Sequence, residues 1–152
     1  MSFVAKDYMS KKIKSVRPDM NAKKALQLLI HSKTSGLPVI DRTGAVVGVF
    51  TEKEVLKAIL PSYIKDVGAF IYGEDTKAEL KKLCRLQKFQ VKDVMRTEVP
   101  TIVGETSLTE VSKIMLTRNE RRVIVTKGNR AIGVITRSDV MKALAKEAGM
   151  RI

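Results

Sequence analysis

Apolar residues recur at helical spacing in two stretches of the chain. They are Ala22, Ala25, Leu26 and Leu29 in the first stretch, and Leu108, Val111, Ile114 and Met115 in the second. Because residues three and four positions apart share one face of an α-helix, each stretch predicts a helix that buries one side. The short apolar segments "IKSV" and "VPTI" come before these stretches and predict β-strands.

After each predicted helix, two apolar runs surround a polar turn. "LPVI" and "AVVGVF" flank residues 41–44, and "RVIV" and "AIGVI" flank residues 127–130. Turn residues such as Gly, Asp and Asn between such runs predict β-hairpins. A second helix should follow each hairpin and end at Pro61 in one case and at Gly149 in the other.

The two halves of the chain carry the same pattern. "KDYM" from Lys6 matches "KDVM" from Lys92, and "GVFTEKEVLKAI" from Gly48 matches "GVITRSDVMKAL" from Gly133. A register that slips by only one residue between these matches indicates an internal repeat. The order β-α-β-β-α therefore occurs twice, which predicts an α+β fold with units at 3–60 and 91–148.

Residues 61–90 lie between the repeats and are interpreted as a connector. "YGEDTKAELKKLCRLQKF" predicts a helix after a turn at Gly73, with acidic Glu74 and Asp75 near its start. Its basic residues toward the end suit the helix dipole; they are Lys81, Lys82, Arg85 and Lys88. Cys84 has leucines at helical spacing, so it is expected to be a small core residue.

Composition restricts the class of protein. A hydrophobic fraction of 44% supplies a core, although aromatic residues make up only 5%. The single cysteine cannot form an internal disulfide, and no apolar segment is long enough to span a bilayer, so a cytoplasmic protein is expected. The net charge of +13 is spread along the chain. Such a field attracts anions, including nucleotides, nucleic acids and anionic lipid surfaces.

The repeated phrase allows two interpretations. Thr51 with Glu54, and Thr136 with Asp139, fit a capping box, in which a hydroxyl and a carboxylate satisfy the first amides of a helix. The same helix start suits a phosphate, and its carboxylate suits ribose hydroxyls. The preceding glycines, Gly48 and Gly133, predict places where another backbone or a ligand approaches a strand.

These motifs together resemble a tandem pair of CBS domains, also called a Bateman module. The resemblance rests on the duplicated β-α-β-β-α order, the "G-h-x-[ST]-x-x-[DN]" phrases, the opening "VAKDYM" and "QVKDVM", and "SGLPVID" in the first hairpin. It implies two units packed through their sheets about a pseudo-twofold axis. It also implies regulatory binding of AMP, ADP, ATP or S-adenosylmethionine in the cleft between them, without catalysis.

The resemblance assigns one main site and one weaker site. The main nucleotide-binding set is Ile13, Lys14, Ser35, Gly36, Arg121, Arg122, Thr136, Arg137 and Asp139. In this set Asp139 would hold the ribose, and the three arginines would hold phosphates. The weaker set is Thr51, Glu54 and Pro100, because Glu54 stands where the family has Asp. Glu54 is instead expected to be the better capping-box partner.

Other functions remain open. The basic surface is compatible with a nucleic-acid-binding module, although no aromatic platform for single strands is present. A dimerisation unit with an unused pocket is a further alternative. No catalytic motif or metal-ligand spacing occurs, and His31 stands alone. The resemblance also implies a homodimer and a possible separate effector protein. Apolar positions available to a second copy are Leu56, Ile59, Val140, Met141 and Leu144.

Overall fold

The computed structural model describes residues 3–60, 81 and 83–152. Its regular elements are α1 (Ala22–His31), β1 (Gly36–Ile40), β2 (Val46–Thr51), α2 (Glu52–Ile59), α3 (Val91–Val94), β3 (Thr101–Val103), α4 (Leu108–Thr117), β4 (Arg122–Lys127), β5 (Arg130–Thr136) and α5 (Arg137–Glu147). Short 3-10 helices occupy Ala5–Asp7 and Arg85–Lys88. The chain contains both α-helices and β-sheets, and its fold is α+β.

The helices begin where side chains cap them. The Asn21 Oδ1 atom accepts hydrogen bonds from the backbone N–H groups of Lys23 (3.0 Å) and Lys24 (3.3 Å) at the start of α1. The Ser107 hydroxyl accepts from the N–H of Glu110 (3.2 Å) at the start of α4. These bonds satisfy amides that have no partner inside the helix. Both helices lie where the apolar periodicity predicted them, and that prediction is confirmed.

Both hairpins are present. The turn of the first contains Gly44 at φ +88°, and the turn of the second contains Gly128 at φ +63°, a conformation that favours glycine. β1 and β2 form a two-stranded sheet, and β3, β4 and β5 form a three-stranded sheet in that order. The second half of the predicted strand "VPTI" lies in β3, which is parallel to β4. Its counterpart "IKSV" contributes only a parallel bridge between Val16 and Val39.

The chain forms two compact units. The N-terminal unit contains Lys14–Asp41 and Val47–Glu98, and the C-terminal unit contains Met1–Ile13, Arg42–Val46 and Val99–Ile152. Each unit has its own apolar core: Phe50 and Leu29 are among the fully buried residues of the N-terminal unit, and Ile135 and Val123 are among those of the C-terminal unit.

The opening segment of each repeat belongs to the unit built mainly from the other repeat. In the C-terminal unit, the N–H of Ala5 donates to Thr106 O (2.8 Å), and Ala5 is fully buried. In the N-terminal unit, the N–H of Val91 donates to Met20 O (2.8 Å), and Val91 is fully buried. The repeats at 3–60 and 91–148 therefore describe sequence duplication, whereas the compact units exchange these segments.

Two expectations on the connector and the core were wrong. Cys84 is exposed, because the buried leucine of this segment is Leu86. Val140 is 4% exposed and packs in the core of the C-terminal unit, so it is not available to a second copy. The connector residues Pro61, Gly73, Glu74, Asp75 and Lys82 lie outside the described residues.

α2 and α5 are the second helices of the two repeats, and they end in different backbone conformations. α5 ends before Gly149, whose φ of +77° and N–H bond to Lys146 O (3.0 Å) terminate the helix as predicted. α2 ends at Ile59, and Leu60 is already extended at ψ 134°.

Candidate functional site

The second copy of the phrase forms a complete capping box at the start of α5. The Thr136 Oγ1 atom accepts from the N–H of Asp139 (3.1 Å), and the Asp139 Oδ2 atom accepts from the N–H of Thr136 (2.9 Å). This arrangement holds the Asp139 carboxylate at the helix start through one of its two oxygens. The side chain remains partly accessible.

The first copy forms only half of that box. The Thr51 Oγ1 atom accepts from the N–H of Glu54 (3.1 Å), but in the described part of the chain no bond returns from the Glu54 carboxylate to Thr51. The expectation that Glu54 is the better capping-box partner was therefore wrong. The shorter Asp139 makes the return bond, and the longer Glu54 does not.

Two arginines lie beside the complete box. In the β4–β5 register, Arg122 stands directly opposite Thr136, so the two side chains share one face of the sheet. The N–H of Arg137 donates to the backbone O of Arg121 (2.9 Å), which joins the start of β4 to the start of α5. The structure thus brings Arg121, Arg122, Thr136 and Asp139 together within the C-terminal unit.

The electrostatics of this corner favour an anion. Burial, and then the neighbouring charge of Arg121, lower the pKa of Arg122 from its usual value. Both causes mean that the charged guanidinium is less well stabilised there than in water. Arginine forms strong, often bidentate, charge-assisted hydrogen bonds with anions such as phosphate.

Arg137 is engaged locally. Its Nε donates to Glu120 O (3.1 Å), and its Nη2 donates to Met115 O and to Asn119 Oδ1 (3.4 Å each). Met115 and Glu120 lie at the end of α4 and in the loop that follows. The guanidinium therefore holds this loop against the start of α5, and it supports the position of Arg121 and Arg122.

The other predicted residues are divided between the units. Lys14, Ser35 and Gly36 lie in the N-terminal unit, whereas Ile13 and Pro100 lie in the C-terminal unit. Within the N-terminal unit, Ser35 O accepts from the N–H of Glu52 (3.0 Å). A Cβ at Gly36 would lie 2.9 Å from the Thr51 Cγ2 atom. Ser35 and Gly36 are thus direct neighbours of the first phrase.

The glycines of the phrase have a packing reason that the sequence only partly revealed. A Cβ on Gly48 would lie 2.6 Å from the Met95 sulfur and 2.8 Å from Arg96 O. A Cβ on Gly133 would collide with the Met9 sulfur and lie 2.9 Å from Ser10 O. Another backbone does approach each strand, as predicted. The repeated "KDxM" segments were the signal that could have identified the partner.

Within the part of the chain that the structure describes, neither a metal-ligand cluster nor a membrane-spanning helix is found. No group of three or more His, Cys, Asp or Glu side chains is placed to hold a metal ion. No helix there is both long enough and apolar enough to cross a membrane.

Comparisons with known proteins agree with the repeated architecture. The CBS domain model matches residues 5–61 and 91–146. MJ1426, an uncharacterized protein of Methanocaldococcus jannaschii, is 27% identical over 152 residues, which cover 91% of this chain and 89% of that protein. CBSX1, a chloroplastic CBS domain-containing protein of Arabidopsis thaliana, is 31% identical over 147 residues, which cover 90% of this chain and 62% of CBSX1.

A solved structure has the same fold. The crystal structure of CBSX2 in complex with AMP matches with a TM-score of 0.72 and 24% identity, over 96% of this chain and 98% of that one. CBSX2 is a CBS-pair protein of Arabidopsis thaliana.

Proposed function

The chain belongs to the CBS-domain family as a tandem CBS pair, and from this premise we propose that it is a regulatory module that binds an adenosine-containing ligand. AMP, ADP and ATP are the first candidates, and S-adenosylmethionine is the next. The proposal includes no catalytic step. An adenine nucleotide is supported by the relative CBSX2, whose structure is described as a complex with AMP.

The observation that carries the proposal is the position of two arginines beside a fixed carboxylate. The capping box uses the Asp139 Oδ2 atom, so Oδ1 is left outside the box to accept a ribose hydroxyl. Arg122 lies opposite Thr136 on the same face of the sheet, and Arg121 is its neighbour. Ribose would bind at Asp139, and phosphate would bind at the arginines.

The remaining residues of the site are part of the same proposal. Ile13, Lys14, Ser35 and Gly36 are candidates to contact the base, as the family resemblance implies. Thr51, Glu54 and Pro100 are candidates for a second, weaker site. Arg137 is a positioning residue, because its guanidinium is bonded to the loop after α4.

Calorimetric titration with AMP, ADP, ATP and S-adenosylmethionine tests the ligand class. Asp139→Asn should weaken nucleotide binding about tenfold, because the ribose hydroxyl would then donate to a neutral amide oxygen instead of a charged carboxylate. The matched control is Glu54→Gln, which changes the equivalent carboxylate and should alter the affinity of the main site at Asp139 less than about twofold. Parent-like binding by both variants would contradict the proposal.

The phosphate role has its own comparison. Arg121→Ala and Arg122→Ala should weaken AMP binding and leave adenosine binding nearly unchanged, since adenosine has no phosphate. An equal loss for AMP and adenosine would mean that the arginines support the fold of the site and do not bind the phosphate.

We further propose that two copies of the chain associate through their second helices. Three apolar side chains on these helices are exposed: Leu56 (53%), Met141 (62%) and Leu144 (47%). Ile59 is partly buried against the core of the N-terminal unit, so it contributes less to this surface. A separate part of the proposal is the intracellular setting, which the single cysteine favours.

A further inference from the structure

A pocket of about 560 Å³ lies in the C-terminal unit, at the turn between β4 and β5. Its walls come from the 3-10 helix Ala5–Asp7 and the residues after it, from the end of β3 with Gly104 and Glu105, and from Lys127 and Gly128. Its lining contains none of the residues proposed for the nucleotide. Small-molecule sites commonly have volumes of about 300–1,000 Å³.

The turn leaves this pocket open. A Cβ added at Gly128 would meet no atom within 4 Å, and the residue has φ +63°. At Gly104, a Cβ would lie 3.1 Å from the Cβ of Lys6, so the absence of a side chain allows Lys6 to lie against the end of β3. Neither glycine places a side chain in the pocket that it lines.

Charge in the pocket favours an anion. Lys6 and Glu105 form a long ion pair (3.6 Å) between exposed side chains, so these two charges largely offset each other. Lys11 and Lys127 also line the pocket, and neither makes an ion pair with a described residue. Asp7 is the remaining carboxylate, which leaves a net positive charge in a strongly basic chain.

The same pocket presents apolar surface. Val103 is 53% exposed at the end of β3. Met9 and Ile132 also line the pocket and pack against the core of the C-terminal unit. A ligand with an apolar body would cover this surface, and its anionic group would lie near the two lysines.

We propose that this hairpin-turn pocket is a second ligand site, which binds a small organic anion with a phosphate or carboxylate head group and an apolar body. The head group binds Lys11 and Lys127. The apolar body packs on Met9, Val103 and Ile132. The site is independent of the nucleotide site proposed at Asp139.

Titration of the full chain with 1-naphthyl phosphate, followed by amide NMR shifts, tests this site. Saturable shifts should centre on Gly104 and Gly128, and inorganic phosphate should bind at least tenfold more weakly because it has no apolar body. Shifts centred on Arg121 and Thr136, or no saturable binding, would overturn the proposal.

Variants separate local binding from the general positive field. Lys11→Glu and Lys127→Glu should each weaken the binding of 1-naphthyl phosphate about tenfold. Lys142→Glu makes the same charge change on the exposed surface of α5 and should alter affinity less than about twofold. An equal loss in all three variants would overturn the site. Asp139→Asn should leave this binding intact even if it abolishes nucleotide binding, so the two proposals fail separately.

Discussion

The two copies of the capping motif should respond differently to loss of their carboxylates. At α5 the box is reciprocal, with bonds of 3.1 Å and 2.9 Å, whereas at α2 only the threonine hydroxyl caps the helix. Asp139→Ala removes an acceptor that satisfies the N–H of Thr136. Glu54→Ala removes a carboxylate that makes no corresponding bond within the described structure. Only the first change should destabilise the fold appreciably.

The expected magnitudes follow from the bonds lost. Asp139→Ala leaves the partly buried N–H of Thr136 without its partner, which costs about 0.5–2 kcal/mol. Glu54→Ala should stay within about 0.5 kcal/mol of the parent, as surface changes usually do. For a chain of this length, each kcal/mol shifts Tm by about 2–4 °C. Glu54→Asp, which copies the shorter side chain of α5, should be neutral or slightly stabilising.

Urea unfolding and differential scanning calorimetry of the three variants, without ligand, measure these differences directly. A loss for Glu54→Ala as large as that for Asp139→Ala would refute the distinction between the complete and the half-formed box. Destabilisation by Glu54→Asp would show that the backbone at Thr51, and not side-chain length, prevents the return bond.

Four other predictions concern separate features of the molecule. Gly133→Ala should destabilise the fold by about 1–3 kcal/mol in urea unfolding, because its Cβ would meet the Ser10 carbonyl and Met9. The control Gly149→Asn should cost less than about 1 kcal/mol, because its Cβ would meet no atom within 4 Å and Asn tolerates φ +77° better than other side chains; equal losses would contradict this packing. Sedimentation should show a dimer at micromolar concentration, and Met141→Glu should produce a monomer; a monomeric parent would argue against the proposed surface. Binding to duplex DNA should be weak and fall steeply with salt, and sequence-selective binding that persists at about 0.2 M salt would favour the nucleic-acid alternative. The hydrogen bond from Tyr8 to Glu147 (2.8 Å) raises the pKa of Tyr8. The bond therefore stabilises the fold up to the ordinary tyrosine pKa, and this stabilisation is lost as the pH rises through the raised pKa. Glu147→Gln should lower the pKa of Tyr8 in an absorbance titration, and an unchanged value would exclude Glu147 as the cause of the shift.

Local patterns predicted the secondary structure because the periodicity of burial is itself local. The helical spacing of Ala22, Ala25 and Leu29 gave α1, and all three are buried. The same reasoning failed at Cys84, where leucines on both sides allowed two choices of buried face, and Leu86 lies in the core instead. Short helical segments with apolar residues on more than one face do not determine their own orientation.

The candidate site depended on geometry finer than residue type. Sequence comparison identified Thr136 and Asp139 as a helix cap and as ligand candidates, but it could not tell that Asp completes the return bond and Glu does not. The two carboxylates differ by one methylene, and the Glu54→Asp variant tests whether that difference is the cause. Similarly, Arg137 was indistinguishable from Arg121 and Arg122 until its bonds to Glu120 O and Met115 O were seen.

The duplicated phrases also explain each other once the fold is known. Met9 of the first "KDxM" segment packs on Gly133 of the second repeat, and Met95 of the second segment packs on Gly48 of the first. A larger residue at either glycine would displace the methionine and the backbone that follows it. Each compact unit thus contains a segment that comes from the other repeat. The two phrases recur together in the sequence because they make one contact, which occurs twice.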